Sequence, residues 1–405
     1  MSDSTGKGSL LILVQNLPLP HDRRVWQESL ALRDAGYTVS VISPLPPNVN
    51  HEYELLEGIH LYRYPPPPVT LTKLDFFKEF YYCWQQTRRL VKRVWRERKF
   101  DAIQTCNPPD TFWLIAKMYK FRGVKFVFDQ HDLCPEVYEA KYGKKGLLHK
   151  ALLWLEKMTY RTADRVIATN ESYRRVANQR GKAPLERIAI VRSGPSKAAF
   201  VPCAPKPELK RGFDFLGVYL GVMGPQDGVD YLIRAIKILV HDIGYKRAGF
   251  ALIGKGDELE NLKALSDELN LGEFVKFTGR ISDEELIEYF STADVGLAPD
   301  PPNPLNNVST MNKIIEYMAI GLPIVSFDLQ ESRYSAQEAA VYVPGSDERK
   351  FAEAIRDLME DEPKRREMSQ FGRKRFEEVL SWEHNWPNLV RLYDDLLGHG
   401  SAQGK

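Results

Sequence analysis

The sequence predicts an α/β protein of two parallel-sheet domains, and three observations lead there. Short, near-continuous apolar runs alternate with longer amphipathic ones through the first half, and after a proline-punctuated stretch the alternation begins again. Strands that are apolar throughout belong to parallel sheets covered by helices on both faces. The third observation is length: 405 residues exceed one α/β core, on a prior of about 100–200 residues per domain.

The elements follow in order. SLLILV (9–14) reads as a buried strand and is followed by an amphipathic helix from about Arg23 to Ala35, which Gly36 ends. TVSVIS (38–43) supplies the next strand, and later ones are expected at 59–63, 102–105, 125–128, 165–168 and 188–191. PSKAAFVPCAPKPELK (195–210) has no periodicity and reads as a linker. Beyond it, strands are expected at 215–221, 248–253, 274–277, 295–298, 323–326 and 340–343, and an amphipathic helix after Pro387. The boundaries that result are 1–197 for an N-terminal domain, 198–380 for a C-terminal one and 381–405 for a closing helix. Two such halves would face each other across a cleft, with ligands at the C-terminal ends of the strands.

Composition narrows the class. Hydrophobic residues make up 43% and charged residues 27%, as in a soluble globular protein, and a net charge of +2 does not point to nucleic acid. Four cysteines without regular spacing fit a reduced compartment. The N-terminus does not read as a signal peptide, and nowhere do 18 apolar residues run together. A cytoplasmic location is the expectation.

Four segments could carry chemistry. In FVFDQHDLCPE (126–136) a strand end delivers Asp129, His131 and Asp132. His131 can hold a proton near neutral pH and donate to a sugar hydroxyl or a phosphate, although the same groups could simply cap a helix. In STMNKIIEYMAIGLPIV (309–325), Ser309 or Thr310 can cap a helix whose first turn, Met311, Asn312 and Lys313, faces an anion. Glu316 in that apolar helix needs a partner if buried, such as the paired hydroxyls of a ribose; a solvent-facing glutamate is the plain alternative. ALIGKGDELE (251–260) brings Gly254, Lys255 and Gly256 to a strand–helix turn, and FTGRISDEEL (277–286) sets Arg280 past another strand end. Residues 73–99 hold nine Lys or Arg against three Asp or Glu, with Phe76, Phe77, Phe80, Tyr81, Tyr82 and Trp84 at one end. That mixture suits peripheral contact with the inner face of the cell membrane, and aromatic packing onto the sheet accounts for it equally.

Absences count as well. No Asp-x-Asp pair occurs for a metal-bound diphosphate, no Walker A sequence is present, and QNLPLPHDRR rather than GxGxxG follows the first strand. No metal and no cofactor are expected.

Together, HDRRVWQESLALRDAGYTVSVISP, FDQHDLCPEVY, GVMGPQDGVDYLIRAI, ALIGKGDELE and NKIIEYMAIGLPIVSFD resemble, in order and spacing, the GT-B glycosyltransferases of family 4. The nearest look is to the bacterial branch that builds surface polysaccharides and lipid-linked glycans. The resemblance implies two Rossmann-like domains and a retaining, metal-independent transfer from a nucleotide-diphosphate sugar to a glycan or lipid-linked acceptor. It matches His131, with Asp132 beside it, to the active-site histidine that contacts the donor sugar. It matches Glu316 to the ribose-binding glutamate of the E-x7-E motif, and sets Gly254, Lys255, Gly256 and Arg280 along the nucleotide. It also implies a final helix crossing back to the N-terminal domain.

The chain departs from the family pattern in three places. Val308 replaces the first glutamate of E-x7-E, Val222 and Asp227 stand where many members carry Arg and Lys, and His21 and Asp22 replace a glycine pair. Phosphate charge then falls to the Ser309–Lys313 helix end or to cations such as Arg192 and Arg280. A nucleotide-sugar epimerase of similar fold and a non-catalytic assembly subunit are the alternative readings.

Overall fold

The computed structural model describes residues 6–47, 49–67, 73–143 and 145–399, with only the backbone of 73–77. The chain forms two compact bodies. Unit 1 takes the described residues up to 139, then 143–192 and 385–399; unit 2 takes 140–142 and 193–384.

The strands of unit 1 are β1 (Ser9–Leu13), β2 (Thr38–Pro44), β3 (Tyr53–Leu56), β4 (Ile59–Tyr64), β5 (Ala102–Cys106), β6 (Lys125–Gln130), β7 (Arg165–Ala168) and β8 (Ile188–Ile190). Its helices are α1 (Arg23–Asp34), α2 (Lys73–Glu97), α3 (Trp113–Lys120), α4 (Cys134–Tyr142), α5 (Leu147–Thr162) and α6 (Glu171–Gln179). The sheet runs β3-β4-β2-β1-β5-β6-β7-β8 and is parallel except for β3, which pairs antiparallel with β4. The central strands are buried apart from the first residues of β1 and β6, Ser9 and Lys125, as their apolar runs predict. β3 was not expected. It is a half-exposed edge strand without a continuous apolar run, joined to β4 by Glu57 and Gly58, both at positive φ, as a tight hairpin requires.

Unit 2 contains β9 (Phe215–Leu220), β10 (Ala248–Ile253), β11 (Val275–Gly279), β12 (Val295–Ala298), β13 (Ile324–Phe327) and β14 (Ala340–Val343). Helices α7 (Val229–Lys237), α8 (Leu259–Glu268), α9 (Asp283–Thr292), α10 (Asn312–Ile320), α11 (Gln330–Ala336), α12 (Glu348–Glu360) and α13 (Glu362–Arg375) cover the sheet. Its order is β11-β10-β9-β12-β13-β14, all parallel. Side chains alternate between two cores. Val218, Ala251 and Ile253 enter one, while Tyr219, Phe250 and Leu252 enter the other.

The last helix, α14 (Trp382–Leu397), begins before Pro387 rather than after it. The proline lies in the second turn, where its missing N–H removes a single intrahelical bond. From Asn385 onward the chain belongs to unit 1. Tyr393 donates its hydroxyl to Gln104 Oε1 at 2.6 Å, and Asp394 pairs with Lys7 at 2.8 Å. Among the described residues no helix is long and apolar enough to cross a membrane.

Candidate active site

In unit 1 the chemistry gathers where α1, β5, β6 and α14 meet. Asp22 caps α1 by accepting from Val25 N at 3.1 Å, so the residue that replaces a family glycine starts the helix. In the first turn, Arg24 turns its guanidinium to the end of β6. Its Nη2 lies 2.8 Å from Asp129 Oδ1 and 3.0 Å from Glu28 Oε1, and Nη1 donates to Val191 O at 2.9 Å. Gln104 Nε2 donates to Glu28 Oε2 at 2.7 Å and to Asp129 Oδ2 at 3.2 Å. Glu28, Asp129, Gln104 and Tyr393 are all fully buried, so their bonds act in a medium of low dielectric.

His131 faces this network. Its Nε2 lies 2.6 Å from Asp129 Oδ2. Arg24 Nε sits 3.2 Å from the same nitrogen. Nδ1 has no protein partner among the described residues. Burial disfavours the imidazolium, but the Asp129 carboxylate and its hydrogen bond outweigh burial and raise the His131 pKa. Desolvation opposes the charge on Asp129 too, yet Arg24 and His131 hold its pKa well below the ordinary value. Glu28, desolvated and facing Asp129 across the same guanidinium, is pushed up instead. The two carboxyls share one guanidinium, so they titrate as a pair, with Glu28 the one pushed up.

Asn107 fixes the loop after β6. Its Oδ1 accepts from His131 N at 2.7 Å and from Asp132 N at 3.2 Å, while Nδ2 donates to Asp132 O at 2.8 Å. The Asp132 carboxylate has no hydrogen-bond partner among the described residues. Desolvation first, and Asp22 to a lesser degree, raise its pKa.

Unit 2 builds a second constellation at the C-terminal ends of three adjacent strands, β11, β10 and β9. Gly254, at φ +141, lies so near Gly221 that an added Cβ would come within 1.8 Å of Gly221 O. At Gly256 a Cβ would meet Met223 O at 2.3 Å. Only glycine lets these turns interlock. Lys255 and Arg280 are exposed and have no ion pair among the described residues, and Lys255 reaches over Gly279.

Lys313 is placed differently from expectation. It is buried rather than turned to an anion, and its Nζ lies 2.7 and 2.9 Å from the two oxygens of Asp300 and 4.8 Å from the centre of the Tyr219 ring. Asp227, largely desolvated but facing Lys313, is pushed up to about 6 and accepts from Gly224 N at 2.9 Å. The expected cap also differs. Met311 is the N-cap of α10 and makes no side-chain capping bond, while Ser309 Oγ donates to Leu305 O at 2.8 Å. The Ser309 hydroxyl thus serves the preceding turn, and the helix starts at Asn312, which is exposed. Glu316 is half-buried on α10, three residues beyond Lys313 and so on the same helical face.

The structure therefore gathers Gly254, Lys255, Gly256, Arg280 and the Lys313 helix around one set of strand ends, and holds His131 in unit 1. Sequence reasoning missed Arg24, Glu28, Gln104, Asn107, Asp300 and Tyr393. One signal was present: Arg24 and Glu28 are four apart on a helix whose buried positions include Val25, Ser29 and Leu32.

On α2 the side chains of Phe76 and Phe77 lie outside the described residues. Cys83, Leu90, Val91 and Val94 are buried, and Tyr81 is exposed.

Comparison with known proteins agrees with this architecture. Residues 22–195 match Glycosyltransferase Family 4, and residues 215–361 match Glycosyl transferases group 1. A D-inositol 3-phosphate glycosyltransferase from Thermomonospora curvata is 25% identical over 292 residues, which are 67% of this chain and 66% of that protein. The match thus spans about two thirds of that relative's length. Sucrose-phosphate synthase from Thermosynechococcus elongatus aligns with a TM-score of 0.79 at 21% identity, covering 97% of this chain and 100% of the other. The Anabaena protein HepE, solved in complex with UDP-glucose, aligns with a TM-score of 0.70 at 14% identity, covering 97% and 100%. With a matching family over each sheet and two parallel-sheet units of the same kind, the chain belongs to the family 4 glycosyltransferases of GT-B fold.

Proposed function

We propose that this protein transfers a sugar from a nucleoside-diphosphate sugar to a glycan or lipid-linked acceptor, with retention at the anomeric carbon and without a metal ion. One observation carries the reading. The ends of β9, β10 and β11 present interlocked glycine turns next to two cations, Lys255 and Arg280, that no carboxylate among the described residues neutralises. Such a surface suits a diphosphate, because backbone can approach the phosphates closely and fixed charge waits for them. Glu316, on the same face of α10 as Lys313, is the group for the ribose hydroxyls. UDP-glucose bound to the Anabaena protein supports a donor of this chemical kind, and the inositol phosphate glycosyltransferase supports a polyol or glycan acceptor.

In this mechanism the bond from the anomeric carbon to the diphosphate oxygen breaks while the acceptor oxygen bonds on the same face. The departing diphosphate takes the acceptor's proton. His131, paired with Asp129, is the group this reading assigns to the transferred sugar, with Asp132 beside it. A metal is not called for on this reading. The ligand atoms of Cys106, Asp129 and His131 lie within 4.8 Å of one another, but Arg24 and His131 already engage both oxygens of Asp129, and burial holds the Cys106 thiol well up. The guanidinium occupies the cation's place.

The test is incubation with UDP-, GDP-, ADP- and dTDP-sugars and candidate acceptors in EDTA, followed by NMR of the product. Nucleoside diphosphate release with retained configuration supports the proposal. Inverted product, or activity that EDTA abolishes and a divalent ion restores, contradicts it.

Glu316→Ala is expected to weaken donor binding by roughly tenfold or more, since two hydrogen bonds donated by the ribose hydroxyls to a charged carboxylate are lost. Titration calorimetry with the preferred donor measures it, and unchanged affinity removes Glu316 from the ribose site. The enzyme would act at the inner face of the cell membrane.

A further inference from the structure

We infer that the outer ridge formed by α3 and α5 in unit 1 is a docking surface for an anionic lipid bilayer. The two helices pack side by side, with the Trp113 and Trp154 rings 6.2 Å apart and edge to face. Their outward faces are apolar to a degree that solvent does not explain. On α5, Leu147 is 86% exposed and Trp154 55%; on α3, Leu114 and Met118 are exposed, and Phe121 directly follows the helix at 86%. Isolated exposed hydrophobics are ordinary, but four on two adjoining helices, with Phe121 at the end of one, form a patch that marks an interaction site.

Charge identifies the occupant. Lys117 on α3 and Lys150 and Lys157 on α5 are exposed among these residues, and none has an ion pair among the described residues. Neither helix shows an exposed acid: α3 has none, and the one acid of α5, Glu156, is buried and bound to Arg180 at 2.6 Å. Elsewhere on the surface, cations commonly have partners, as Arg89 and Arg93 do in Glu52. Leucine and tryptophan interleaved with unpaired lysines on helices lying along a surface are the composition of an interfacial membrane contact. A second copy fits poorly, since a self-complementary contact would set these lysines against one another. A protein partner fits less well too, because interface centres are depleted in lysine.

The surface is independent of the donor chemistry in unit 2, so its test can fail while the transferase reading stands. The full-length protein is sedimented with vesicles of phosphatidylcholine alone and of phosphatidylcholine mixed with phosphatidylglycerol. Binding to the anionic vesicles, weakened by added salt and absent with phosphatidylcholine alone, is expected. The double variant Leu147→Glu/Trp154→Glu should lose at least about tenfold in vesicle partition, and Lys150→Glu/Lys157→Glu about as much. All four residues are solvent-facing, and an unchanged thermal midpoint confirms that each variant is folded. Tyr81→Glu, on α2, should retain binding. No sedimentation of the wild type with anionic vesicles at low salt overturns the inference, as does full binding by Leu147→Glu/Trp154→Glu. Loss of binding in Tyr81→Glu alone would move the contact to α2, and a stable dimer that this double variant dissociates would assign the ridge to a second copy.

Discussion

Arg24→Met is expected to lower the stability of unit 1 by about 3–5 kcal/mol, the usual cost of stripping the partner from buried charge. The guanidinium lies against two fully buried carboxyls, Asp129 and Glu28, and without it Oδ1 of Asp129 loses its charged partner while Oδ2 keeps His131 and Gln104. Urea unfolding monitored in unit 1 measures the effect, since the two units need not unfold together. The double variant Arg24→Met/Asp129→Asn should recover part of the loss, because it removes the orphaned charge along with its partner. A loss below about 1 kcal/mol in the single variant would show that Asp129 is neutral in the native protein.

The second large effect is on turnover. His131→Ala is expected to slow transfer about 10²–10³-fold, the magnitude seen when one positioned donor to a developing charge is lost. pH separates a charge effect from a loss of packing. The His131 pKa is raised in the folded protein by Asp129, so the ion pair contributes stability fully below the ordinary histidine value. That contribution is lost as pH rises through the raised folded value. Wild-type kcat/KM should fall on the alkaline side over the same interval, while His131→Gln should show low activity without that fall. An alkaline limb that persists in His131→Gln would assign it to another group.

Much of the fold was legible because parallel strands covered on both faces announce themselves. AGFALI and VGLA are apolar and TVSVIS is rich in β-branched residues, and each appears as a strand at or within a residue of its expected limits. β3 was not legible, since an exposed edge strand has no buried pattern to display. The start of α10 was misplaced for a local reason: Ser309 and Thr310 have the chemistry of caps, but the Ser309 hydroxyl bonds back to Leu305 O. The site was legible only in part. His131 and the glycine turns sit at strand ends, where an α/β sheet exposes chemistry. The network behind His131 was hidden because it joins Arg24 to Asp129 across 105 residues and Gln104 to Tyr393 across 289. No local pattern spans such distances.

Val222 and Asp227, where relatives place cations, have a structural counterpart as well. Val222 is exposed, Asp227 binds its own loop, and Lys313 is spent on Asp300. On the proposed reading, the charge left for a diphosphate is that of Lys255 and Arg280.

That assignment makes donor binding the central claim, and the most direct measurement is a thermal-shift screen against UDP, GDP, ADP and dTDP and their common sugar conjugates. A ligand at about 100 times its Kd stabilises the folded state by about 2.7 kcal/mol. For a unit of this size that corresponds to an increase of roughly 5–10 °C in the midpoint. The account predicts such an increase with one nucleoside diphosphate and its sugar conjugate, reduced when Lys255 and Arg280 are both changed to Ala. No increase with any of them at millimolar concentration would contradict it and leave a glycosyltransferase fold without a donor site.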